Sequence, residues 1–163
     1  ASGSGNPGAA NAAAVLGNRW GLAVLGADMG KGVAAGLVGR ALAGDTGGYV
    51  AATASIAGHI APVSNGFRGG KGVATSAGAC LAVFPAYFPI DAAVAALTAS
   101  RVQHAERATQ VSCAVWTAAA VLWWRRGLPN AWGPHPGPAL VGFAAVSSAM
   151  ILTKFRAARR ATS

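Results

Sequence analysis

Two glycine-rich segments of the sequence carry groups that bind phosphate. They are GSGNPG at residues 3–8 and GFRGGKG at residues 66–72. Their polar side chains are Ser4, Asn6, Arg68 and Lys71. Free backbone amides, hydroxyls and cations hold a phosphate dianion, and glycine lets the backbone approach it closely. The segments therefore predict phosphate binding, although glycines also form tight turns and close helix contacts in membrane bundles.

Neither segment fits a known nucleotide-binding loop. The first contains G-x-G-x-x-G, but Pro7 removes a backbone donor from it, and no β-branched or alternating run follows to supply a parallel sheet. The second fails the Walker A pattern, which needs glycine where Asn65 stands and Ser or Thr where Gly72 stands. The sequence therefore does not favour a nucleotide-binding fold.

Three ionisable residues lie within apolar segments. Asp28 and Lys31 are three residues apart, so on a helix they share one face and can pair. His59 stands alone in its segment and is either a hydrogen-bonded structural residue or a base.

Cys80 and Cys113 lie in apolar runs and predict small buried residues rather than a disulfide or a metal site. We predict neither a metal ion nor another cofactor.

The composition is that of a membrane protein. Of the 163 residues, 53% are hydrophobic and 10% are charged, whereas a soluble domain has about 25% charged residues. The net charge is +9, but the basic residues lie mostly singly between apolar blocks, without interleaved aromatic residues. Basic loops beside an anionic bilayer explain this pattern better than nucleic-acid binding does. The sequence predicts an all-α polytopic integral membrane bundle without a nucleic-acid partner.

The apolar blocks predict about six spans in a single membrane domain covering residues 1–163. Its parts in order are a cytoplasmic glycine-rich loop (1–19), two spans (20–63), a cytoplasmic loop with the GGK sequence (64–71), the remaining spans (72–155) and a basic cytoplasmic tail (156–163). Within the fourth part, Pro85 and Pro89 predict a break between two short helices.

The distribution of positive charge predicts the orientation. With the first loop on the cytoplasmic side, nine of the 13 Lys and Arg residues fall on that side. Arg40, Arg125 and Arg126 fall on the other side, and Lys31 lies within a span. This asymmetry agrees with the positive-inside rule. It places both glycine-rich loops and the C-terminal tail on one face of the membrane.

Three segments in order, GSGNPGAAN (3–11), DMGKG (28–32) and GHIAPVSNGFRGGKGVAT (58–75), resemble the bacterial PlsY family of acyl-phosphate:glycerol-3-phosphate acyltransferases. The resemblance implies a multi-pass enzyme of the bacterial inner membrane with its site on the cytoplasmic face. Such an enzyme transfers a fatty acyl group from acyl phosphate to the 1-hydroxyl of glycerol 3-phosphate, giving lysophosphatidic acid. The family has seven spans, one of them before the first motif, so the resemblance implies an upstream span.

The resemblance also implies roles for residues within the three motifs. Ser4 matches the active-site serine of the family, and Lys71 matches the lysine that holds phosphate, so both are predicted to be catalytic. The other motif residues that we expect to bind substrate or phosphate are Gly5, Asn6, Gly8, Asn11, Asp28, Lys31, His59, Arg68, Gly69, Gly70, Gly72 and Thr75.

Three of the positions that depart from the family pattern bear on turnover. Ala14 stands where the family has an arginine, Phe155 where it has a histidine and Ala158 where it has an asparagine. Since another residue does not readily replace an arginine fork on phosphate, the alternative prediction is a homologue that binds phosphorylated lipid precursors or membrane partners without turnover. A small-solute channel or transporter is a third prediction, based on Asp28 and Lys31 within a span.

Overall fold

Helices make up the regular structure of the described part of the chain. The structure is a computed structural model, and it describes Gly3, residues 7–99 and residues 105–160. The helices are α1 (Ala9–Leu16), α2 (Asn18–Ile60), α3 (Val73–Val83), α4 (Phe88–Ala99), α5 (Ala105–Arg126) and α6 (Pro138–Arg160). Short 3₁₀ turns lie at Val63–Asn65 and Pro85–Tyr87. The all-α prediction is confirmed for these residues.

The long helix α2 is folded into a hairpin. Its backbone leaves helical geometry at residues 43–44, where Gly44 has φ 68° and ψ −166°, a conformation that glycine adopts without steric cost. A Cβ added to Gly39 would lie 2.5 Å from the carbonyl oxygen of Gly47. A straight helix would separate these two residues by about 12 Å. The two halves of α2 therefore run antiparallel and in close contact.

We call residues 18–42 the first arm of this hairpin and residues 45–60 the second arm. They overlap the two apolar segments predicted within 20–63. Two helical stretches of the described chain, Asn18–Asn65 and Pro138–Ala158, are long and apolar enough to cross a membrane. The pair α3 and α4, bent by 116°, provides a third if the pair counts as a single span.

The first arm packs against α3 through glycines. A Cβ added to Gly32 would overlap the carbonyl oxygen of Thr75, and one added to Gly78 would overlap the carbonyl oxygen of Met29. Small residues let helix backbones approach this closely in membrane bundles. The contact fixes the position of α3 along the first arm. It thereby also positions the loop that precedes α3.

The predicted break after α3 occurs at Pro85. α3 ends at Val83, and Pro85 begins the 3₁₀ turn that leads into α4. Proline lacks an amide hydrogen and cannot continue a helix, but it is tolerated in the first turn of the next one. Pro89 lies in the first turn of α4, so it does not break the chain there.

Aromatic contacts join α3, α5 and α6 into the core. The rings of Trp116 in α5 and Phe143 in α6 meet edge to face, with centroids 5.1 Å apart and planes at 87°. Phe84, just after α3, makes a similar contact with Trp123 of α5 at 5.5 Å. Such pairs contribute about 0.5 to 1.5 kcal/mol beyond the area they bury. They hold α5 against α6 and against the end of α3.

Polar contacts fix the loop between α5 and α6 to the turn of the hairpin. Arg40 Nε donates to Asp45 Oδ1 at 2.9 Å, and Arg40 Nη1 donates to the carbonyl oxygen of Trp132 at 2.7 Å. The amide of His135 donates to Asp45 Oδ2 at 2.9 Å. These bonds lie at the end of the hairpin opposite Ile60, so they position the start of α6.

Helix α1 corrects the prediction of a loop over residues 1–19. The segment Ala9–Leu16, AANAAAVL, is helical and ends at Gly17, which has φ 94°. Alanine has the highest helix propensity of all residues. The glycine motif at the start of this region indicated a loop, but the alanines that follow it determine the local structure.

Candidate functional site

A cleft of about 430 Å³ lies between the two arms of α2 and the loop that follows the second arm. Cationic, anionic and backbone groups all face it. The predicted site residues that line it are Asp28, Lys31, His59, Arg68, Gly69 and Gly70. Residues from the second and third sequence motifs are therefore brought together at one end of the hairpin.

The loop at residues 61–72 folds back against the end of the second arm. Gly69 donates its amide hydrogen to the carbonyl oxygen of Ile60 at 3.2 Å, and Phe67 donates to that of Pro62 at 2.9 Å. Phe67 has φ 63°, a left-handed conformation that is uncommon outside glycine. The loop is thereby held as a compact turn beside the cleft.

Two glycines of the loop have no room for a side chain. A Cβ on Gly69 would overlap the carbonyl oxygen of His59, and one on Gly70 would overlap Nε2 of the His59 ring. At these two positions the glycines meet a packing requirement. This agrees with the alternative interpretation of the glycine-rich segments as tight turns and close contacts. Because both residues also line the cleft, the same packing leaves their backbone as part of its wall.

Arg68 is the exposed cation of the loop. Its carbonyl oxygen accepts a hydrogen bond from Asn65 Nδ2 at 2.7 Å, which fixes the backbone. Its side chain is exposed and lines the cleft. A guanidinium in this position presents a fork of donors that matches phosphate geometry.

Asp28 is the buried anion of the site. One oxygen, Oδ1, accepts a hydrogen bond from Lys31 Nζ at 3.0 Å and lies 3.4 Å from His59 Nδ1. The side chains of Asp28 and His59 are 6% and 9% exposed, whereas that of Lys31 is 61% exposed. The predicted pairing of Asp28 with Lys31 is confirmed. Within the described residues, no three His, Cys, Asp or Glu side chains are grouped so as to hold a metal ion.

The C-terminal part of α6 closes the same end of the molecule. The ammonium of Lys71 lies over the Phe155 ring, 4.5 Å from its centroid. Lys154 Nζ donates to the carbonyl oxygen of Ile60 at 3.3 Å. A lysine ammonium is favourable beside the last carbonyl oxygens of a helix, which here are those at the C-terminal end of α2. Helix α6 therefore joins both the loop and the end of the second arm.

Five of the other predicted residues lie in the described part of the chain, and they do not line the cleft. Lys71 and Gly72 follow the cleft-lining glycines, and Thr75 is buried in α3 with its hydroxyl unpaired. Gly8 immediately precedes α1, and Asn11 lies within it. Ser4, Gly5 and Asn6 lie outside the described residues.

Several residues near the cleft were not predicted from the sequence. Those that line it are Pro7, Ser55, Gly58, Pro62 and Asn65. Ser55 precedes His59 by one helical turn, so helix periodicity places both on one face. Lys154 had no such local signal, because its contact with Ile60 joins two helices that are distant in sequence.

Comparisons with known proteins agree with this arrangement. The family model described as glycerol-3-phosphate acyltransferase matches residues 1–162 of the chain. A glycerol-3-phosphate acyltransferase of Thermoanaerobacter sp. (strain X514) is 48% identical over 83 residues, which make up 51% of this chain and 42% of that relative. The chain thus spans less than half the length of that curated relative.

Solved structures of PlsY, an integral membrane glycerol 3-phosphate acyltransferase, share the fold. The lysophosphatidic acid form has a TM-score of 0.73 and 27% identity, covering 96% of this chain and 76% of that one. The glycerol 3-phosphate form has a TM-score of 0.68 and 28% identity, covering 97% and 74%. The likeness includes α5 and α6, beyond the three sequence motifs. This integral membrane protein therefore belongs to the PlsY family of glycerol-3-phosphate acyltransferases.

Proposed function

We propose that this protein transfers a fatty acyl group from acyl phosphate to the 1-hydroxyl of glycerol 3-phosphate, giving lysophosphatidic acid. The observation that carries the proposal is the cleft in which Lys31 and His59 of α2 meet Arg68 and the backbone of Gly69 and Gly70. Both substrates carry a phosphate group, and cations with backbone amides are suited to hold it.

The reaction requires little covalent participation by the protein. The hydroxyl oxygen of glycerol 3-phosphate forms a bond to the acyl carbonyl carbon, the bond from that carbon to the phosphate oxygen breaks, and inorganic phosphate leaves with the electron pair. The hydroxyl loses its proton in the same process. Rate enhancement comes from holding the two reactants in line and from stabilising the charge on the leaving phosphate.

We assign the catalytic roles to Ser4 and Lys71. Lys71 follows the two cleft-lining glycines, and its ammonium is a cation suited to the leaving phosphate. Asp28 takes part in substrate binding by holding Lys31 at the cleft. The remaining members of the proposed binding set belong to the same motifs and are Gly5, Asn6, Gly8, Asn11, Gly72 and Thr75.

For the topology, we propose six membrane segments in residues 1–163, with the cleft on the cytoplasmic face of the bacterial inner membrane. The contacts of Lys71 with Phe155 and of Lys154 with Ile60 support one common face for the 64–71 loop and the end of α6. The bond from Arg40 to the loop between α5 and α6 supports the placement of that loop at the opposite face.

A second candidate function is binding of phosphorylated lipid precursors without turnover. The contact between Lys71 and Phe155 favours this function. The aromatic ring lies against the ammonium on the side where a phosphate ligand would be expected to bind. Phe155 and Ala158 also replace the histidine and asparagine that the family pattern has in the tail.

The deciding experiment measures product and binding on the same sample. The chain is reconstituted into liposomes, checked for helicity by circular dichroism, and supplied with glycerol 3-phosphate and either palmitoyl phosphate or palmitoyl-CoA. Lysophosphatidic acid is quantified by mass spectrometry, and glycerol 3-phosphate binding by calorimetry. Lys71→Ala tests the site. Arg125→Ala is the control, because it also removes one positive charge but from a residue predicted to lie at the opposite face.

Each outcome separates the two candidates. Product from palmitoyl phosphate but not from palmitoyl-CoA, lost in Lys71→Ala and retained in Arg125→Ala, supports the acyltransferase. Saturable binding that Lys71→Ala weakens, without product, supports the binding protein. A helical preparation with neither product nor binding contradicts both.

A further inference from the structure

The turn between α1 and the first arm of α2 forms a second concavity. Its volume is about 600 Å³, which lies within the range of roughly 300 to 1,000 Å³ that is typical of ligand sites. The side chains that line it are those of Leu16, Asn18, Arg19, Trp20 and Ala23. None of these residues lines the cleft described above. The concavity therefore combines one cation and one amide with apolar surface.

The first arm projects beyond the end of the second arm at this turn. His59, next to the last residue of the second arm, faces Asp28 of the first arm. Arg19 precedes Asp28 by more than two helical turns and lies about 14 Å further along the axis. Helix α1 folds back along this part of the arm, since a Cβ added to Gly21 would lie 2.6 Å from the Cβ of Ala13. The second arm therefore leaves the turn uncovered.

Large apolar side chains at the turn are exposed. Leu16 is 62% exposed, Trp20 is 61% exposed and Leu22 is 67% exposed. Tryptophan is enriched where a membrane meets water, because its ring is apolar and its indole N–H reaches polar headgroups. The exposed groups at the turn are thus of the kinds found at the surface of a bilayer.

The spacing of Trp20 and Arg40 agrees with this location. The two residues are about 30 Å apart along a straight helix, which is roughly the thickness of the hydrocarbon core of a bilayer. They belong to the stretch Asn18–Asn65, which is long and apolar enough to cross a membrane. The ionisable residues between them, Asp28 and Lys31, line the cleft. When Arg40 lies at one surface of the membrane, Trp20 lies at the other.

Arg19 is a cation to which the described chain supplies no anion. The sequence has 13 Lys and Arg residues but only four Asp and Glu residues. Asp28 is paired with Lys31, and Asp45 is paired with Arg40. Arg19 is exposed, and no ion pair or hydrogen bond holds its side chain within residues 7–99 and 105–160. Its guanidinium is therefore available to a phosphate group at the membrane surface.

We propose that the concavity between α1 and the first arm binds the headgroup of an anionic phospholipid from the surrounding bilayer. Arg19 pairs with the lipid phosphate, and Trp20 packs beside the glycerol and the upper part of an acyl chain. A zwitterionic headgroup carries its own cation beside the phosphate, so Arg19 favours a headgroup with net negative charge.

This lipid site is separate from the cleft in place and in role. Arg19 and the cleft-lining Lys31 are about 18 Å apart along the helix. A lipid bound at the turn holds the end of the first arm at the level of the headgroups, and it thereby fixes the depth of the cleft in the membrane. The inference concerns binding alone and does not depend on acyl transfer.

The binding test uses native mass spectrometry of the purified chain in detergent, with phosphatidylglycerol or phosphatidylcholine added. Arg19→Gln removes the positive charge but keeps a long polar side chain. Arg107→Gln is the matched control, because Arg107 is an exposed arginine of α5 outside the concavity. We expect Arg19→Gln to raise the Kd of the first bound phosphatidylglycerol about fivefold, and Arg107→Gln to change it by less than about twofold. Circular dichroism checks that all variants are equally helical.

A crosslinking test locates the bound lipid. Phosphatidylglycerol with a photoreactive diazirine in its headgroup is irradiated with the chain in phosphatidylcholine nanodiscs, and the labelled residues are identified by mass spectrometry. We expect label within residues 16–23. Excess unlabelled phosphatidylglycerol is expected to displace it, and Arg19→Gln is expected to reduce it.

Several results would overturn the inference. Equal affinity for the two lipids would do so, as would equal losses of affinity in Arg19→Gln and Arg107→Gln. Label confined to Arg125 and Arg126, at the other end of α5, would place the lipid elsewhere. A lipid-free dimer that Trp20→Ala dissociates would assign the turn to a second copy of the chain. None of these measurements requires turnover, so an inactive protein leaves them decisive.

Discussion

The ammonium of Lys71 lies 4.5 Å from the centroid of the Phe155 ring, so this lysine of the loop is held by an aromatic residue of α6. A cation over a ring is stabilised by about 0.5 to 1 kcal/mol at exposed sites and by about 2 kcal/mol when desolvated. Under the proposed function, this contact sets the position from which Lys71 meets a phosphate group. It also connects two segments that are distant in sequence.

Loss of the Phe155 ring weakens the positioning of Lys71. We expect Phe155→Leu to raise the KM for glycerol 3-phosphate roughly two- to fivefold, the equivalent of the contact at an exposed site. Phe155→Tyr keeps the aromatic face and serves as the control. Equal KM values for the leucine and tyrosine variants would show that the ring does not position the lysine.

Removal of the Lys71 ammonium tests its direct role. We expect Lys71→Ala to weaken glycerol 3-phosphate binding by about 1.5 to 3 kcal/mol, the contribution of a hydrogen bond to a charged group. Calorimetry of the reconstituted protein measures this loss, and Arg125→Ala is the comparison. A change near zero would assign Lys71 to the solvated surface of the loop.

Substitution of Gly70 perturbs the site through the His59 ring. A methyl group at this position would overlap Nε2, and the ring is enclosed, so we expect Gly70→Ala to displace it and to abolish most of the activity. Gly58→Ala is the matched variant, because Gly58 lines the same cleft with open space around its Cβ position. Activity assays and the NMR signals of His59 measure the difference. Equal activity in the two variants would contradict this packing.

The contact between the first arm and α3 is sensitive to volume. We expect Gly32→Ala to lower the free energy of unfolding by about 1 to 3 kcal/mol, because the added methyl group meets the backbone of α3. Gly30→Ala, two residues away, adds the same group into open space and is expected to leave stability unchanged or higher. Unfolding by sodium dodecyl sulfate, followed by circular dichroism, gives both values. A Gly32→Ala variant as stable as Gly30→Ala would mean that the helices are farther apart.

Local sequence patterns predicted the features that depend on neighbouring residues. The pairing of Asp28 with Lys31 follows from their spacing on one helical face, and it is present at 3.0 Å. Pro85 marks the end of α3 because its backbone chemistry allows no continuation. The two apolar blocks predicted within residues 20–63 likewise anticipated the two arms of α2.

Features that depend on tertiary contacts were not predictable in this way. The meeting of Asp28 with His59 requires the hairpin to bring residues of opposite arms together. The contact of Lys154 with Ile60 depends on where α6 packs, and nothing in the sequence near either residue indicates it. Helix α1 was missed for a different reason, because the glycine motif beside it outweighed its alanines in the interpretation.

The contacts made by Lys154 and Phe155 also give the site an order of assembly during synthesis. The walls of the cleft come from residues 7–70, which leave the ribosome well before α6 does. Chains fold from the N-terminus as they are made, so the hairpin and its loop are able to form first. Helix α6 then adds its two contacts as the final step. A nascent chain interrupted before α6 would contain the cleft but lack the aromatic support of its lysine.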